Sequence, residues 1–475
     1  MAGGARLLRP AGAGHGRGAG RPEAAHHRAA PRARAQRRPG RAPRRGAPAL
    51  LLGRGGAAVT GLDLLRRRYV VLTFLRWFPT GLVIPVQVLL LSGRGLSVAQ
   101  VGAVWAAYSL ACALLELPSG ALADALGRRA VLVVSVALGT AANLVLALGQ
   151  AAPALVAGTL LAGTARALDS GPLQAWYVDA VHALDADADL KPGLARGATA
   201  DSAGLALGAL GGGALTLVPL ADAGGDPLLS LSVPFLAAAA VALVQVALVV
   251  RWVTDVPRGG GLRAALAEVP ATVRAGAALA GRNPVLRRLT ALSTLLGVVL
   301  AGTELLAPLT LGGEAGAAAY STVVTAGFAG TAVGAHLAPA LARLLRGSGR
   351  GVVVSSLLVA AAAACVALPG WWAAAGAYVC LYAALGLGDP LTGELLHEET
   401  PSGQRTTLLS VQSLVLQAGG LAGTLGVPAI AGATSFGTAW AAVAGVAALG
   451  ALVALGLPRG RTSPDPAPAP PVALG

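Results

Sequence analysis

The chain has 475 residues, of which 55% are hydrophobic and only 12% are charged, and its mean hydropathy is +0.68. Soluble domains carry charge on about a quarter of their residues, so this composition excludes an ordinary soluble enzyme and indicates a membrane protein. The net charge of +15 does not indicate binding to nucleic acid, because 13 of the 36 basic residues precede Leu65 and most others flank apolar runs. We therefore expect the lipid bilayer, and no nucleic acid, as a partner.

Residues 1–62 consist almost wholly of Arg, Ala, Gly and Pro. Such a segment has too few apolar side chains to offset the entropy of ordering, which predicts a disordered extension. It also lacks the apolar run that a secretion signal needs. We interpret it as a dispensable extension, with the membrane protein beginning near Val59; a basic tail that attracts anionic lipid is the alternative.

Residues 69–457 form a succession of apolar runs, each long enough to cross a hydrocarbon core of about 30 Å as a helix. We predict twelve transmembrane helices. Their expected spans are 69–91, 98–121, 130–148, 154–178, 198–220, 228–250, 289–311, 318–341, 352–368, 371–395, 408–431 and 438–457.

Basic residues predict the orientation of these helices. The loops on one side hold 20 Lys and Arg residues, whereas the opposite loops hold a single one, Arg94. Because cytoplasmic loops are enriched in Lys and Arg, we expect both termini on the cytoplasmic side of the plasma membrane.

The longest connection within the membrane part runs from Arg251 to Arg288 and separates six helices from six. Asp169 and Asp389 occupy similar positions in the two halves, which indicates an internal repeat. The predicted organisation is therefore an N-terminal bundle, a cytoplasmic central loop, a C-terminal bundle and a Pro-rich cytoplasmic tail, over residues 63–252, 253–288, 289–457 and 458–475.

A charged motif lies in the short loop after the second predicted helix. Its residues are Glu116, Gly120, Asp124, Gly127, Arg128 and Arg129. The motif resembles the GxxxDRxGRR loop of the major facilitator superfamily, although Ala125 stands where that family usually has a basic residue. The resemblance implies an all-α membrane protein, with twelve transmembrane helices in two six-helix bundles that rock about a central site. It also implies that Asp124 and the arginines hold the two halves together in one conformation.

The fifth predicted helix carries a glycine element formed by Gly204, Gly208, Gly212 and Gly213. It resembles the GxxxGPxxGG element of proton-driven drug exporters in the same superfamily, with Ala209 in place of the proline. Small residues at this spacing also let two helices approach closely, so a packing role is the alternative interpretation.

Five charged residues are candidates for the central cavity, because charge inside a membrane span marks a cavity, an ion pair or a proton path. They are Arg76, Arg166, Asp169, Glu304 and Asp389. Asp169 and Glu304 are the candidate proton carriers, whereas an arginine stays protonated and would hold a carboxylate ionised. Arg166 and Asp169 are three residues apart, so a structural ion pair between them is the alternative. Asp389 lies near a helix end, where it would simply be solvated.

These features predict a secondary active transporter that exports a small amphipathic or drug-like molecule in exchange for protons. Proton-coupled uptake of a metabolite such as a sugar or organic acid is the alternative, and a receptor or scaffold without transport is a third possibility. The scattered His and Cys residues predict neither a metal site nor a cofactor.

Overall fold

The computed structural model describes residues 51–218, 227–254, 262–400 and 405–458. All regular elements in these ranges are helices, and residues from Arg54 onwards form one compact unit. The helices are α1 (Leu51–Val83), α2 (Gln87–Gly93), α3 (Val98–Leu126), α4 (Arg128–Leu148), α5 (Ala152–Leu168), α6 (Pro172–Leu184), α7 (Lys191–Leu215), α8 (Pro227–Trp252), α9 (Leu262–Arg282), α10 (Pro284–Ala307), α11 (Gly313–Leu345), α12 (Ser348–Val366), α13 (Trp371–Glu399), α14 (Arg405–Ala433) and α15 (Phe436–Ala454).

Each expected span overlaps one or two helices of the described residues, and the all-α membrane fold is confirmed. By length and hydropathy, nine stretches of the described residues could cross a membrane, and one of them, Pro284–Leu345, contains both α10 and α11. The fourth span is divided into α5 and α6, neither of which is long enough alone. The fifth expected span corresponds to α7, which is not among these nine stretches, because its many glycines lower its hydropathy.

Two segments differ from their expected form. Helix α1 starts at Leu51, so helix extends over the last part of the predicted extension, whereas residues 1–50 lie outside the described residues. Adding residues to an existing helix is much easier than starting a new one, which accounts for this extension. The central connection contains the helix α9, which packs against α3, α10 and α14. The predicted tail is outside the described residues except for Pro458.

Small residues allow the two halves to meet closely. Across the halves, α3 packs against α14, and α7 packs against α11. At Gly102 of α3, a Cβ atom would overlap the carbonyl oxygen of Thr424 and the ring of Pro428 in α14. The backbones of these helices therefore touch at a point where no larger residue fits.

The halves share apolar clusters only at one end of the molecule, judged from the described residues. At the end predicted to be extracellular, Val86 and Val104 of the first half belong to the same buried cluster as Leu305 and Ala317 of the second. At the predicted cytoplasmic end, two separate clusters lie one in each half, around Leu72 and around Leu289. Packing between the halves therefore closes the end that is predicted to be extracellular.

Arg94, the single basic residue of the predicted outer loops, is held by the end of α4. Its guanidinium donates hydrogen bonds of 2.6 Å to the carbonyl oxygens of Leu146 and Ala147. These carbonyls lie in the last turn of α4, where no backbone N–H follows to pair with them. Burial at this position lowers the pKa of Arg94.

Candidate functional site

The most direct link between predicted site residues is an ion pair between α1 and the break that separates α5 from α6. Pro172 begins α6 and cannot donate a backbone hydrogen bond, so the chain leaves the helix at Asp169, which caps α5. The Nε of Arg76 donates to Oδ2 of Asp169, and the two side chains are only 18% and 13% exposed. In the described contacts Asp169 pairs with Arg76 through a hydrogen bond, whereas its interaction with Arg166 is electrostatic.

Trp77 fills the space between the two arginines. The guanidinium of Arg76 lies 5.1 Å from the centre of the Trp77 ring, and that of Arg166 lies 5.2 Å from it. A ring that faces two cations stabilises both through its quadrupole, which lowers the energy of holding arginines within the membrane. Arg166 therefore joins the same cluster as Arg76 and Asp169 without sharing their hydrogen bond.

Asp201 of α7 completes this cluster, and sequence reasoning missed it. Its carboxylate interacts electrostatically with Arg76, Asp169 and Arg166 and lies beside Trp77. One oxygen of Asp201 and one of Asp169 are buried with no hydrogen-bond partner among the described residues. The available signal was its place inside the predicted span 198–220, close enough to the span's start to resemble a solvated helix end. We name Arg76, Arg166, Asp169, Asp201 and Trp77 the N-half charge cluster.

Glu304 of α10 lies in the other half, among aromatic side chains. Its carboxylate interacts electrostatically with four tyrosines: Tyr108, Tyr320, Tyr378 and Tyr382. Tyr108 belongs to α3 of the first half, so Glu304 is oriented towards the interface between the halves. The side chain nevertheless remains exposed, which fits a residue that lines a cavity instead of filling the core.

Asp389, the fifth candidate, is placed differently. It is exposed and precedes Pro390 towards the predicted cytoplasmic end of α13. In the described contacts, nothing links it with the N-half charge cluster or with Glu304. One turn further on, Glu394 accepts a hydrogen bond of 2.8 Å from Ser348.

Two described contacts involve the side chains of the loop motif. Glu116 accepts a hydrogen bond of 3.1 Å from Ser413 of α14, which joins the two halves, and Arg128 forms an ion pair with Asp179 of α6. Gly127 separates α3 from α4 with a φ of +91°, a conformation that favours glycine. Gly120 is exposed and Arg129 is half-buried, whereas the side chain of Asp124 lies outside the described part of the structure.

The glycine element lies against two other helices. A Cβ atom at Gly204, Gly208 or Gly212 would meet the backbone of α1 around Phe74, Phe78 and Leu82, respectively. A Cβ atom at Gly213 would instead overlap the side chain of Ser321 in α11, across the halves. The absence of side chains on this face allows α7 to pack directly against the helix that carries Arg76.

A metal centre has no support in the ranges described above, since no group of three or more His, Cys, Asp or Glu side chains is placed to hold an ion. The candidate site consists instead of the N-half charge cluster and of the exposed acid Glu304, and Tyr108 interacts electrostatically with both Arg166 and Glu304. This combination suits the binding of protons and of an organic molecule.

Comparison with known proteins gives a family and a set of similar folds. The family model described as Major Facilitator Superfamily matches residues 69–347. The nucleoside transporter NupG is similar with a TM-score of 0.66 and 15% identity, over 82% of this chain and 98% of that one. A D-xylose-proton symporter is similar with a TM-score of 0.66 and 16% identity, over 85% of this chain and 99% of that one. The human organic anion transporter MFSD10 (TETRAN) is similar with a TM-score of 0.55 and 17% identity, over 82% of this chain and 99% of that one. No curated protein matches the sequence.

Proposed function

Because the chain belongs to the major facilitator superfamily, and is therefore a membrane transporter, we propose that it exports a small amphipathic organic cation in exchange for protons. Transport proceeds by alternating access, in which the two halves rock about the central site. Both termini lie in the cytoplasm, as the asymmetry of basic residues favours. The conformation with a closed outer end then receives its substrate from the cytoplasm.

The observation that carries the proposal is the pairing of two carboxylates with one arginine in the N-half charge cluster. When Asp169 takes up a proton, its attraction to Arg76 is lost, and Arg76 is free to pair with Asp201. Release of the proton restores the first pair. Such an exchange links the protonation state of the site to the relative position of α1 and the break between α5 and α6, which transport requires.

Glu304 and its tyrosines favour a cation as the substrate. An accessible carboxylate attracts an ammonium or similar group, and the half-buried ring of Tyr382 attracts both that charge and apolar rings. The N-half charge cluster has no excess negative charge to attract a cation, because its two arginines balance Asp169 and Asp201, so we place the substrate on the Glu304 side. A small amphipathic cation has both the charge that Glu304 attracts and the apolar surface that an aromatic ring attracts.

The test is proton flux in inverted membrane vesicles with an imposed acid-inside gradient. We expect ethidium to dissipate the gradient in the wild type, and Asp169→Asn to reduce this flux at least about tenfold, because the pair with Arg76 is lost. Asp187→Asn is the matched control, since Asp187 lies in the exposed α6–α7 connection. Flux that is equal in wild type and Asp169→Asn would contradict the proposal.

Proton-coupled uptake is the second candidate, and the likeness to a protein described as a D-xylose-proton symporter supports it. In right-side-out vesicles, uptake would make xylose or uridine accumulate inside when the outside is acidic. Export predicts no such accumulation. A scaffold would move none of these compounds, and the charge substitutions would then have no effect on flux.

A further inference from the structure

Polar side chains face each other where α3 of the first half packs against α14 of the second. Glu116 of α3 accepts a hydrogen bond of 3.1 Å from Ser413 of α14, and one turn away Gln417 lies beside Cys112. Cys112 precedes Glu116 by four residues, and Gln417 follows Ser413 by four, which is the register of two antiparallel helices. The two contacts therefore form one polar strip between the halves, which we name the α3–α14 seam.

The seam lies on the predicted cytoplasmic side of this helix pair. Glu116 is separated from the end of α3, at Leu126, by about 15 Å at the helical rise per residue. Towards the other end, Gly102 of α3 touches the backbone of α14 at Thr424. Separation of the two helices at the predicted cytoplasmic end must therefore break the bond between Glu116 and Ser413.

Arg166 attracts Glu116 towards the first half. It is half-buried and interacts electrostatically with both Glu116 and Asp169, so the two acids compete for one guanidinium. Arg166 belongs to α5, which packs against α3 within the first half, whereas Ser413 belongs to α14 in the second. Glu116 thus has one partner in each half of the transporter.

Neutralisation of Asp169 changes this competition. While Asp169 is ionised, it and Asp201 balance the two arginines of the N-half charge cluster. When Asp169 is protonated, the cluster has one positive charge in excess, and Arg166 attracts Glu116 without that competitor. Charges attract each other more strongly in this weakly polar interior than in water. The balance for Glu116 therefore shifts from Ser413 towards Arg166.

We propose that Glu116 is the positioning residue that transmits the charge of the N-half charge cluster to the α3–α14 seam. It accepts the bond from Ser413 while Asp169 is ionised, and it turns to Arg166 when Asp169 is neutral, which releases the predicted cytoplasmic end. This inference rests on the proposed role of Asp169 as a proton site. It gives the seam two discrete arrangements, through which a change at one site biases the other.

The test is the distance between two spin labels, measured by double electron–electron resonance on the full chain in phosphatidylcholine nanodiscs. The labels are attached at Arg67→Cys and Arg287→Cys, exposed positions near the predicted cytoplasmic boundary, one in each half. Ser replaces the native residues Cys112, Cys365 and Cys380. Ser413→Ala should raise the ratio of long to short distances at least about threefold, because a hydrogen bond to a charged group is lost. Ser356→Ala is the matched control, since the described hydrogen bond of Ser356 stays within α12.

Glu116→Gln separates the charge of this side chain from its hydrogen bond. The amide oxygen of glutamine still accepts from Ser413, but the side chain has no charge for Arg166. We expect Asp169→Asn, which imitates the neutral acid, to raise the same ratio at least about threefold in the wild type and to leave it unchanged in Glu116→Gln. Glu314→Gln is the matched control, because Glu314 is exposed in the first turn of α11, and Asp169→Asn should keep its full effect there.

Three results would overturn the role of Glu116. They are an equal effect of Asp169→Asn in the wild type and in Glu116→Gln, an unchanged ratio in Asp169→Asn alone, and an unchanged ratio in Ser413→Ala. The distances are measured without substrate, so they do not depend on ethidium flux. Absence of proton exchange for ethidium in the wild type would refute the proposed function, whereas one of these three results in a protein that does exchange would refute only the role of Glu116.

Discussion

At the level of single residues, Asp201 gives the N-half charge cluster a second acid beside Asp169. Arg76 forms its hydrogen bond with Asp169, yet both Asp169 and Asp201 keep one buried oxygen without a partner among the residues described. A cluster with two acids and two arginines has no excess charge, so small changes in protonation can redistribute its contacts. This property makes Asp201 as strong a candidate for proton coupling as Asp169.

We predict that Asp201→Asn uncouples transport from the proton gradient while leaving substrate binding intact. Gradient-driven ethidium efflux should fall at least about tenfold, whereas exchange of labelled for unlabelled ethidium without a gradient should continue. The reason is that Arg76 loses its second partner, but Glu304 and its tyrosines are unchanged. Unaltered gradient-driven efflux, measured beside Asp187→Asn, would exclude Asp201 from coupling.

At the level of elements, the break between α5 and α6 and the close packing of α7 against α1 bring the residues of the site together. Prolines and glycines that weaken a soluble helix serve here to end α5 at Asp169 and to bring α7 against α1. In α7, Gly211 and Gly212 are neighbours with different surroundings. A Cβ atom at Gly212 would overlap the backbone of Leu82, whereas one at Gly211 would only reach a methyl group of Leu82 at 3.4 Å.

We predict that Gly212→Ala destabilises the protein by about 1–3 kcal/mol, because the added methyl group forces α1 and α7 apart. Gly211→Ala should leave stability unchanged or raise it by up to about 1 kcal/mol, because alanine favours a helix more than glycine does and the methyl group has room. Thermal unfolding in detergent compares the two variants directly. Equal loss in both would show that the contact between Gly212 and α1 does not decide the effect.

At the level of the whole molecule, the packing of the two halves defines the conformational state. The end predicted to be extracellular is closed by apolar contacts that both halves share, and Leu89 of the first half approaches Gly312 of the second there. Alternating access requires these contacts to separate in each cycle.

We predict that a short bis-thiol reagent applied to Leu89→Cys/Gly312→Cys locks the transporter. The three native residues Cys112, Cys365 and Cys380 are replaced by Ser in this background. Cross-linking should be rapid, because a Cβ atom at Gly312 would lie 3.0 Å from the side chain of Leu89. Transport should stop and should return after reductive cleavage, whereas either single-cysteine variant should remain active. Full activity of the cross-linked protein would show that this end does not open.

The properties that the sequence determined are those that depend on local composition. Hydropathy and run length predicted the membrane helices, and the loop motif predicted membership of the major facilitator superfamily; both are confirmed. These predictions succeed because the bilayer imposes its length and polarity on each helix separately.

The tertiary structure alone decided which charges meet. Arg76 and Asp169 are 93 residues apart, and the adjacent Arg166 was the more obvious partner in the sequence. Asp201 joins them only because glycines allow α7 to pack against α1, and the closure of the outer end depends on contacts between opposite halves. Side-chain pairing across helices depends on rotation and depth, which composition does not specify. For this reason the sequence predicted a transporter, whereas the fold assembled its site.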